Sequence, residues 1–137
     1  MANVFKNKNK TIFNFKPHNI NQFNLLDKIE NRNNIFLAKS KIEEFNINFI
    51  NGLNLIMEKY PNNDINFDEY LTMIVDFSDN VDNNLVIKSQ KDLDKLIATV
   101  EMSDILLKQG IRNNDIETME VSFSNLESGL KVINVLK

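Results

Sequence analysis

Few side chains in this sequence are of the types that reaction centres use. The 137 residues include one histidine, His18, and no cysteine. A serine nucleophile would have to use His18, which follows Pro17 in a basic segment, and no Gly-x-Ser-x-Gly turn is present. The lack of cysteine excludes a thiol nucleophile, an iron–sulfur site, a cysteine zinc site and a disulfide-stapled scaffold. With three glycines, neither a dinucleotide fingerprint nor a phosphate-binding loop can be formed.

Carboxylates are the remaining candidates for chemistry. Asp76, Asp79 and Asp82 are spaced by three residues, which invites comparison with a divalent-ion site. A calcium loop counted from Asp79 needs an acid where Val81 stands and a glutamate where Gln90 stands, so the match fails. Acids at this spacing are more typical of a solvated helix face. We therefore expect no metal, no cofactor and no catalytic residue.

A basic segment with interspersed aromatic residues opens the chain. Residues 1–26 have a net charge of +4, whereas residues 27–137 carry −7. We predict that residues 1–22 form an extended basic arm that binds a partner. Its candidate contact residues are Phe5, Lys6, Lys8, Lys10, Ile12, Phe13, Phe15 and Lys16. The partner would be a protein subunit, or nucleic acid, which only this arm is expected to reach; the alternative is a solvated terminus.

The elements that must carry these residues are helical. In the longest pattern, apolar residues recur at steps of three and four, namely Ile35, Ala38, Ile42, Phe45, Phe49, Leu53, Ile56 and Tyr60. A separate short helix is expected over residues 23–29, and residues 85–87 form either a short strand or the approach to a helix. The predicted fold class is mainly α, a single-domain bundle of four to five helices over residues 23–137, preceded by the arm.

Capping residues mark the helix boundaries. The predicted N-terminal caps are Asn66 with Glu69, Ser89 with Asp92, and Asn114 with Glu117. Gly110 stands where a left-handed residue would end the helix that Ser89 begins. The segment 61–64, which starts with Pro61, is expected to be a turn.

The last helix has two apolar stripes. One comprises Ile116, Met119, Phe123, Leu126, Leu130 and Ile133. The other lies on nearly the opposite side and comprises Val121, Val132, Val135 and Leu136, provided that the helix continues close to Lys137. Either the same chain covers both stripes, or the second stripe contacts a partner. We take these four residues as candidate partner-binding residues.

The composition indicates the kind of genome that encodes this chain and the compartment in which the protein acts. Asparagine occurs 24 times and lysine 14 times, against two arginines, which is typical of an AT-rich genome. No apolar run is long enough to cross a membrane, and no apolar signal region follows the N-terminal charges. We therefore expect a cytoplasmic or virion-associated protein that is not secreted by a signal peptide and does not bind a membrane.

These observations favour a protein that acts by binding other macromolecules. The first hypothesis is a non-enzymatic structural or assembly protein whose arm and last helix bind protein subunits, and its specific form is a bacteriophage virion or tail-assembly component. The alternative is a small acidic inhibitor or adaptor that occupies a basic groove of a partner such as a host-defence nuclease.

Overall fold

The computed structural model describes residues 22–137, with side chains from residue 32 onward. This part consists of four helices: α1 (Gln22–Lys59), α2 (Phe67–Asn84), α3 (Gln90–Arg112) and α4 (Ile116–Val132). Between residues 22 and 137 there is no strand, and the mainly helical class and the bundle are confirmed. None of these four helices combines the length and the apolar content that crossing a bilayer requires.

The helices run alternately up and down. α1 and α2 are antiparallel, because Lys39 pairs with Asp82 near the end of α2, with 3.9 Å between Nζ and Oδ1. α1 and α3 run in the same direction, because Gly52 lies against Ile111. α4 returns antiparallel to α3 after a turn of three residues. The result is an up-down bundle in which α1 and α4 both contact α3 closely.

Helical periodicity explains the core. The predicted stripe of α1 is buried at Ala38, Ile42, Phe45, Phe49, Leu53 and Ile56. At the centre, Phe123 of α4 meets Phe77 of α2 edge-on at 5.1 Å between ring centroids and Phe49 of α1 at 6.1 Å. Such aromatic pairs add about 1 kcal/mol beyond the area they bury. They join three of the four helices.

α1 is one helix, so the expectation of a separate short helix over residues 23–29 is wrong. No proline or glycine occurs between Gln22 and Asn51, and nothing in the backbone chemistry interrupts the helix there. Its 38 residues span about 57 Å at the helical rise. α2 ends two residues beyond Asp82, the partner of Lys39, and so the first turns of α1 extend past the end of α2.

Two of the three predicted caps are confirmed. The side chain of Asn66 accepts a hydrogen bond from the Glu69 amide at 3.2 Å, and Ser89 does the same for Asp92 at 3.2 Å. The third cap is Asp115 rather than Asn114, since Asp115 Oδ1 accepts from the Thr118 amide.

The end of α3 also differs from the prediction. Gly110 is helical, whereas Asn114 has a φ of 53° and occupies the left-handed position. The amides of Asn114 and Asp115 donate to the carbonyls of Ile111 and Gly110, which is a Schellman motif. Gly110 serves packing instead, because a Cβ at this position would be 3.0 Å from the Met119 amide nitrogen.

The expectation that the last helix continues close to Lys137 is also wrong. α4 ends at Val132, and Asn134, with a φ of 62°, turns the chain back. The amides of Asn134 and Val135 donate to the carbonyls of Lys131 and Leu130 in a second Schellman motif. Val135 then accepts a hydrogen bond from the Val86 amide at 2.9 Å. The C-terminal residues therefore close one end of the bundle.

Candidate functional site

The outer surface of α3 and α4 carries four large apolar side chains that no described residue covers. The exposed fractions are 64% for Met102, 67% for Ile105, 56% for Val121 and 79% for Val132. At 100° per residue, Met102 and Ile105 lie about 60° apart on α3, and Val121 and Val132 lie about 20° apart on α4. Each pair thus forms a stripe that points away from the core.

Contacts between the two helices place Met102 beside the α4 stripe. Asn125 Nδ2 donates to Ser103 Oγ at 3.3 Å. Gly129 is so close to Thr99 that an added Cβ would be 2.6 Å from Thr99 Cγ2. Met102 lies about 60° from Thr99 around α3 and so borders α4, whereas Ile105 lies about 120° from Thr99 and points away from the bundle. We define the outer face as Met102 of α3 with Val121, Asn125, Ser128 and Val132 of α4.

The surface of α4 within this face is a shallow, open groove. Its lining comprises Glu117, Glu120, Val121, Ser124, Asn125 and Ser128. Serine and asparagine are small enough to let another backbone approach, and the exposed valine supplies apolar area. The groove therefore suits an extended contact with another helix better than the enclosure of a small molecule.

Burial separates the four predicted residues of the last helix into two pairs. Val121 and Val132 are exposed on the outer face, and their role in partner binding stays a prediction. Val135 and Leu136 are 1% and 3% exposed within their own chain, because the turn at Asn134 directs them into the core. They belong to the core and not to the exposed stripe.

The candidate residues of the arm lie outside the described part of the chain. They are Phe5, Lys6, Lys8, Lys10, Ile12, Phe13, Phe15 and Lys16. Their contacts stay a prediction from sequence. The exposure of Met102 and Ile105 was not predicted from the sequence, although a helical projection places both on the outside of α3.

Beside the groove, a hydrogen bond joins α2 to α4. The hydroxyl of Tyr70 donates to Glu120 Oε1 at 2.5 Å. Burial, this hydrogen bond and the negative charges of Glu120 and Glu69 raise the pKa of Tyr70 to about 12. The bond fixes the position of Glu120 at the acidic end of the groove.

The N-terminus of α4 is held by a second carboxylate. The Thr118 hydroxyl donates to Asp115 Oδ2 at 2.8 Å, and the Thr118 amide donates to Oδ1 at 3.3 Å. These hydrogen bonds lower the pKa of Asp115 below its ordinary value. A carboxylate at a helix N-terminus also interacts favourably with the helix dipole, and the start of the groove-bearing helix is thereby fixed.

The acidic residues considered for metal binding lie on α2. This helix carries Asp68, Glu69, Asp76, Asp79 and Asp82 and no basic residue. Among the described residues, no three histidine, cysteine or carboxylate side chains are arranged to hold a metal ion. Asp68, Glu69, Asp76 and Asp79 lie on the exposed side, so the outer surface of α2 is a strip of negative charge.

A small cleft of about 80 Å³ lies between α1 and α3. Its charged lining consists of Lys41, Glu44, Glu101 and Asp104. Asp104 pairs with Lys108 through Oδ2 at 2.8 Å, while its Oδ1 is buried without a hydrogen-bond partner among the described residues. A cleft of this volume and polarity can hold water molecules, but it cannot enclose a larger ligand.

Comparison of the chain with protein-family models, with curated proteins and with solved structures finds no match. Functional inference therefore depends on the described surfaces and on the sequence.

Proposed function

We propose that this chain is a non-enzymatic structural or assembly protein that binds neighbouring protein subunits. It would do so through the outer face and through the basic arm. The observation that carries this proposal is the exposure of Met102, Val121 and Val132 on the outer face. Single exposed apolar residues are ordinary on a folded protein, but a shared apolar surface is typical of an interaction site.

The energy available from this surface supports the proposal. Burial of apolar area contributes about 25 cal/mol per Å², and complete burial of an exposed valine or methionine contributes about 1.5–3 kcal/mol. The helices already order the backbone beneath the outer face, so binding costs no further backbone ordering there, while each exposed side chain loses rotamer freedom. The row of contact residues along α4 is straight and therefore suits another helix better than a loop.

A finer proposal concerns the setting. The composition is typical of an AT-rich genome, and a small cysteine-free helical body with a charged arm suits a repeated component of a larger particle. We propose a bacteriophage virion or tail-assembly component, which would act in the cytoplasm or within the virion. The arm, with its +4 charge, would bind either an acidic surface of the next subunit or nucleic acid.

The acidic strip of α2 supports a second candidate function, an inhibitor or adaptor that binds a basic groove. Asp68, Glu69 and Asp76 are exposed on α2, which carries no basic residue, and their negative charges would attract a basic partner and accelerate association at low salt. With a basic nuclease as the probe, Glu69→Gln with Asp76→Asn should weaken binding, and Glu101→Gln on α3 serves as the control. Equal binding by all three proteins, or binding that is insensitive to salt, would contradict this candidate.

Light scattering across a concentration series tests the assembly proposal. The average molecular mass measured for the full chain should rise with protein concentration. In the variant with Val121→Lys and Val132→Lys, the same rise should require a protein concentration at least tenfold higher. Leu55→Lys on α1 is the matched control, because Leu55 is also half exposed but lies outside the outer face. Thermal unfolding should be nearly the same in all variants, since surface substitutions usually change stability by about 0.5 kcal/mol or less.

A second set of variants tests the role of residues 1–22. Replacement of Phe13 and Phe15 by serine in the full chain should also reduce association if the arm contacts a subunit. A chain that remains a monomer at every concentration and is unaffected by either set of changes would contradict the proposal.

A further inference from the structure

We infer that the outer face binds a second copy of this chain, with the two α4 helices packed antiparallel about a two-fold axis. This inference rests on the proposed function and specifies the partner. The contact residues on α4 are Val121, Asn125, Ser128 and Val132. They are separated by four, three and four residues and lie within about 60° on the helix, which is the spacing of a helix-packing seam.

The composition of the seam is suited to a helix of the same sequence. Valines stand at its two ends, and the small side chains of Asn125 and Ser128 stand between them. In an antiparallel pair, each Val121 faces the Val132 position of the other copy, and the two small residues face each other near the axis. Such an arrangement is self-complementary, as a two-fold interface requires.

Exposed charges along α4 favour one orientation. Glu117 and Glu120 are exposed in the first half of α4, which carries no base there, and Lys131 is exposed in its last turn. Lys95, in the first half of α3, lies at the same end of the helix pair as Lys131, since Thr99 contacts Gly129. Antiparallel packing brings the acidic end of one copy to the basic end of the other, whereas parallel packing juxtaposes like charges.

The helix dipoles favour the same orientation. Adjacent antiparallel helices place the negative C-terminal end of one α4 beside the positive N-terminal end of the other. Asp115 and Glu117 at one end and Lys131 at the other already match this polarity within each chain. Because these charges are exposed, added salt should weaken the contact.

The absence of cysteine permits a direct test by disulfide trapping. Val121→Cys and Val132→Cys are prepared in separate full-length chains and oxidised alone or as an equal mixture. A disulfide requires the two Cα atoms to lie within about 7 Å, and residues 121 and 132 are about 16 Å apart along α4. The antiparallel dimer therefore predicts a linked dimer in the mixture, at least five times more abundant than in either single variant.

Matched controls separate specific from random oxidation. Leu55→Cys mixed with Val132→Cys should give only background linkage, because Leu55 lies on α1 outside the seam. Both valines are exposed, so neither substitution should affect folding. Circular dichroism checks this, and sedimentation velocity of the unmodified chain in low and high salt provides a second, cysteine-free measurement.

The possible outcomes distinguish this inference from the proposed function. Self-linkage of Val132→Cys, or equal linkage in all samples, would overturn the antiparallel dimer while leaving an interface at the outer face. Association of the chain without linkage would also overturn it and would direct attention to the arm or to another subunit. A chain that is monomeric in sedimentation and unlinked in every mixture would contradict both proposals.

Discussion

Asn46 is the residue at which the core departs most from apolar packing. It is 1% exposed on α1, and neither its amide nitrogen nor its oxygen has a hydrogen-bond partner among the described residues. A buried polar group without a partner costs about 1–3 kcal/mol. The burial of Asn46 was not predictable from the sequence, because the flanking Phe45 and Ile47 made the segment resemble an alternating strand as much as a helix.

Replacement of Asn46 should therefore stabilise the protein. Asn46→Leu keeps the number and branching of the side-chain heavy atoms and removes the uncompensated polar group, so the free energy of unfolding should rise by about 1–3 kcal/mol. Chemical denaturation measures the change, and Asn48→Leu on the same helix is the control for a general gain from leucine. A loss of stability would mean that Asn46 has a polar partner.

Tyr70 should lose its phenolic proton at a higher pH than an ordinary tyrosine. Its pKa of about 12 in the folded protein lies above the ordinary value of 10, so the neutral phenol favours the fold. That contribution is present below pH 10 and is lost as the pH rises toward 12. Tyrosinate absorbance between pH 9 and pH 12 measures it, with Tyr70→Phe as the variant that lacks this titration. Ionisation of Tyr70 near pH 10 while circular dichroism still shows a folded protein would contradict the assignment.

Among the elements, the helix starts were more predictable than the helix ends. Asn66 and Ser89 cap helices as their sequence patterns predict, because a side-chain oxygen three residues before a free amide is a local feature. The ends at Asn114 and Asn134 were missed because asparagine takes the left-handed position at both, whereas Gly110 was expected to end α3 and α4 was expected to continue close to Lys137. Packing explains the position of Gly110 inside α3, because a Cβ there would lie 3.0 Å from the amide nitrogen of Met119.

The turn at Asn134 has a specific consequence for stability. Asn134→Ala should destabilise the protein by about 1 kcal/mol, because a Cβ without a polar side chain disfavours the left-handed conformation. Asn134→Gly should retain or increase stability, since glycine adopts this conformation freely. Thermal unfolding compares the two. Equal melting temperatures for the alanine and glycine variants would show that the turn does not hold Val135 and Leu136 in the core.

Gly52 tests the close approach of α1 and α3. A Cβ on Gly52 would lie 2.5 Å from Ile111, so Gly52→Ala should give no stabilisation in the natural protein despite the better helix propensity of alanine. In the background of Ile111→Ala, the same change should stabilise by about 1 kcal/mol. A double-mutant cycle measures this coupling. Additive effects would show that the two residues do not contact each other.

At the scale of the whole molecule, the sequence predicted the class of fold and one part of the candidate surface. Periodicity predicted the helical segments and put Val121 and Val132 on a second stripe of the last helix, and both are exposed in the structure. It could not place Val135 and Leu136, because their burial depends on a reversal of the chain and not on a helical repeat. Nor could it show that α3 adds Met102 to the surface, because the pairing of α3 with α4 is a tertiary feature.

Oxidation of Met102 tests the proposal that the outer face is a subunit contact. The rate of its oxidation by dilute peroxide, followed by mass spectrometry, reports whether its exposed side chain is covered. Met57, partly buried on α1 outside the outer face, is the internal control. We expect Met102 to be oxidised at least fivefold more slowly in concentrated than in dilute protein, while the rate at Met57 is unchanged. Equal rates at Met102 across the concentration range would contradict the claim.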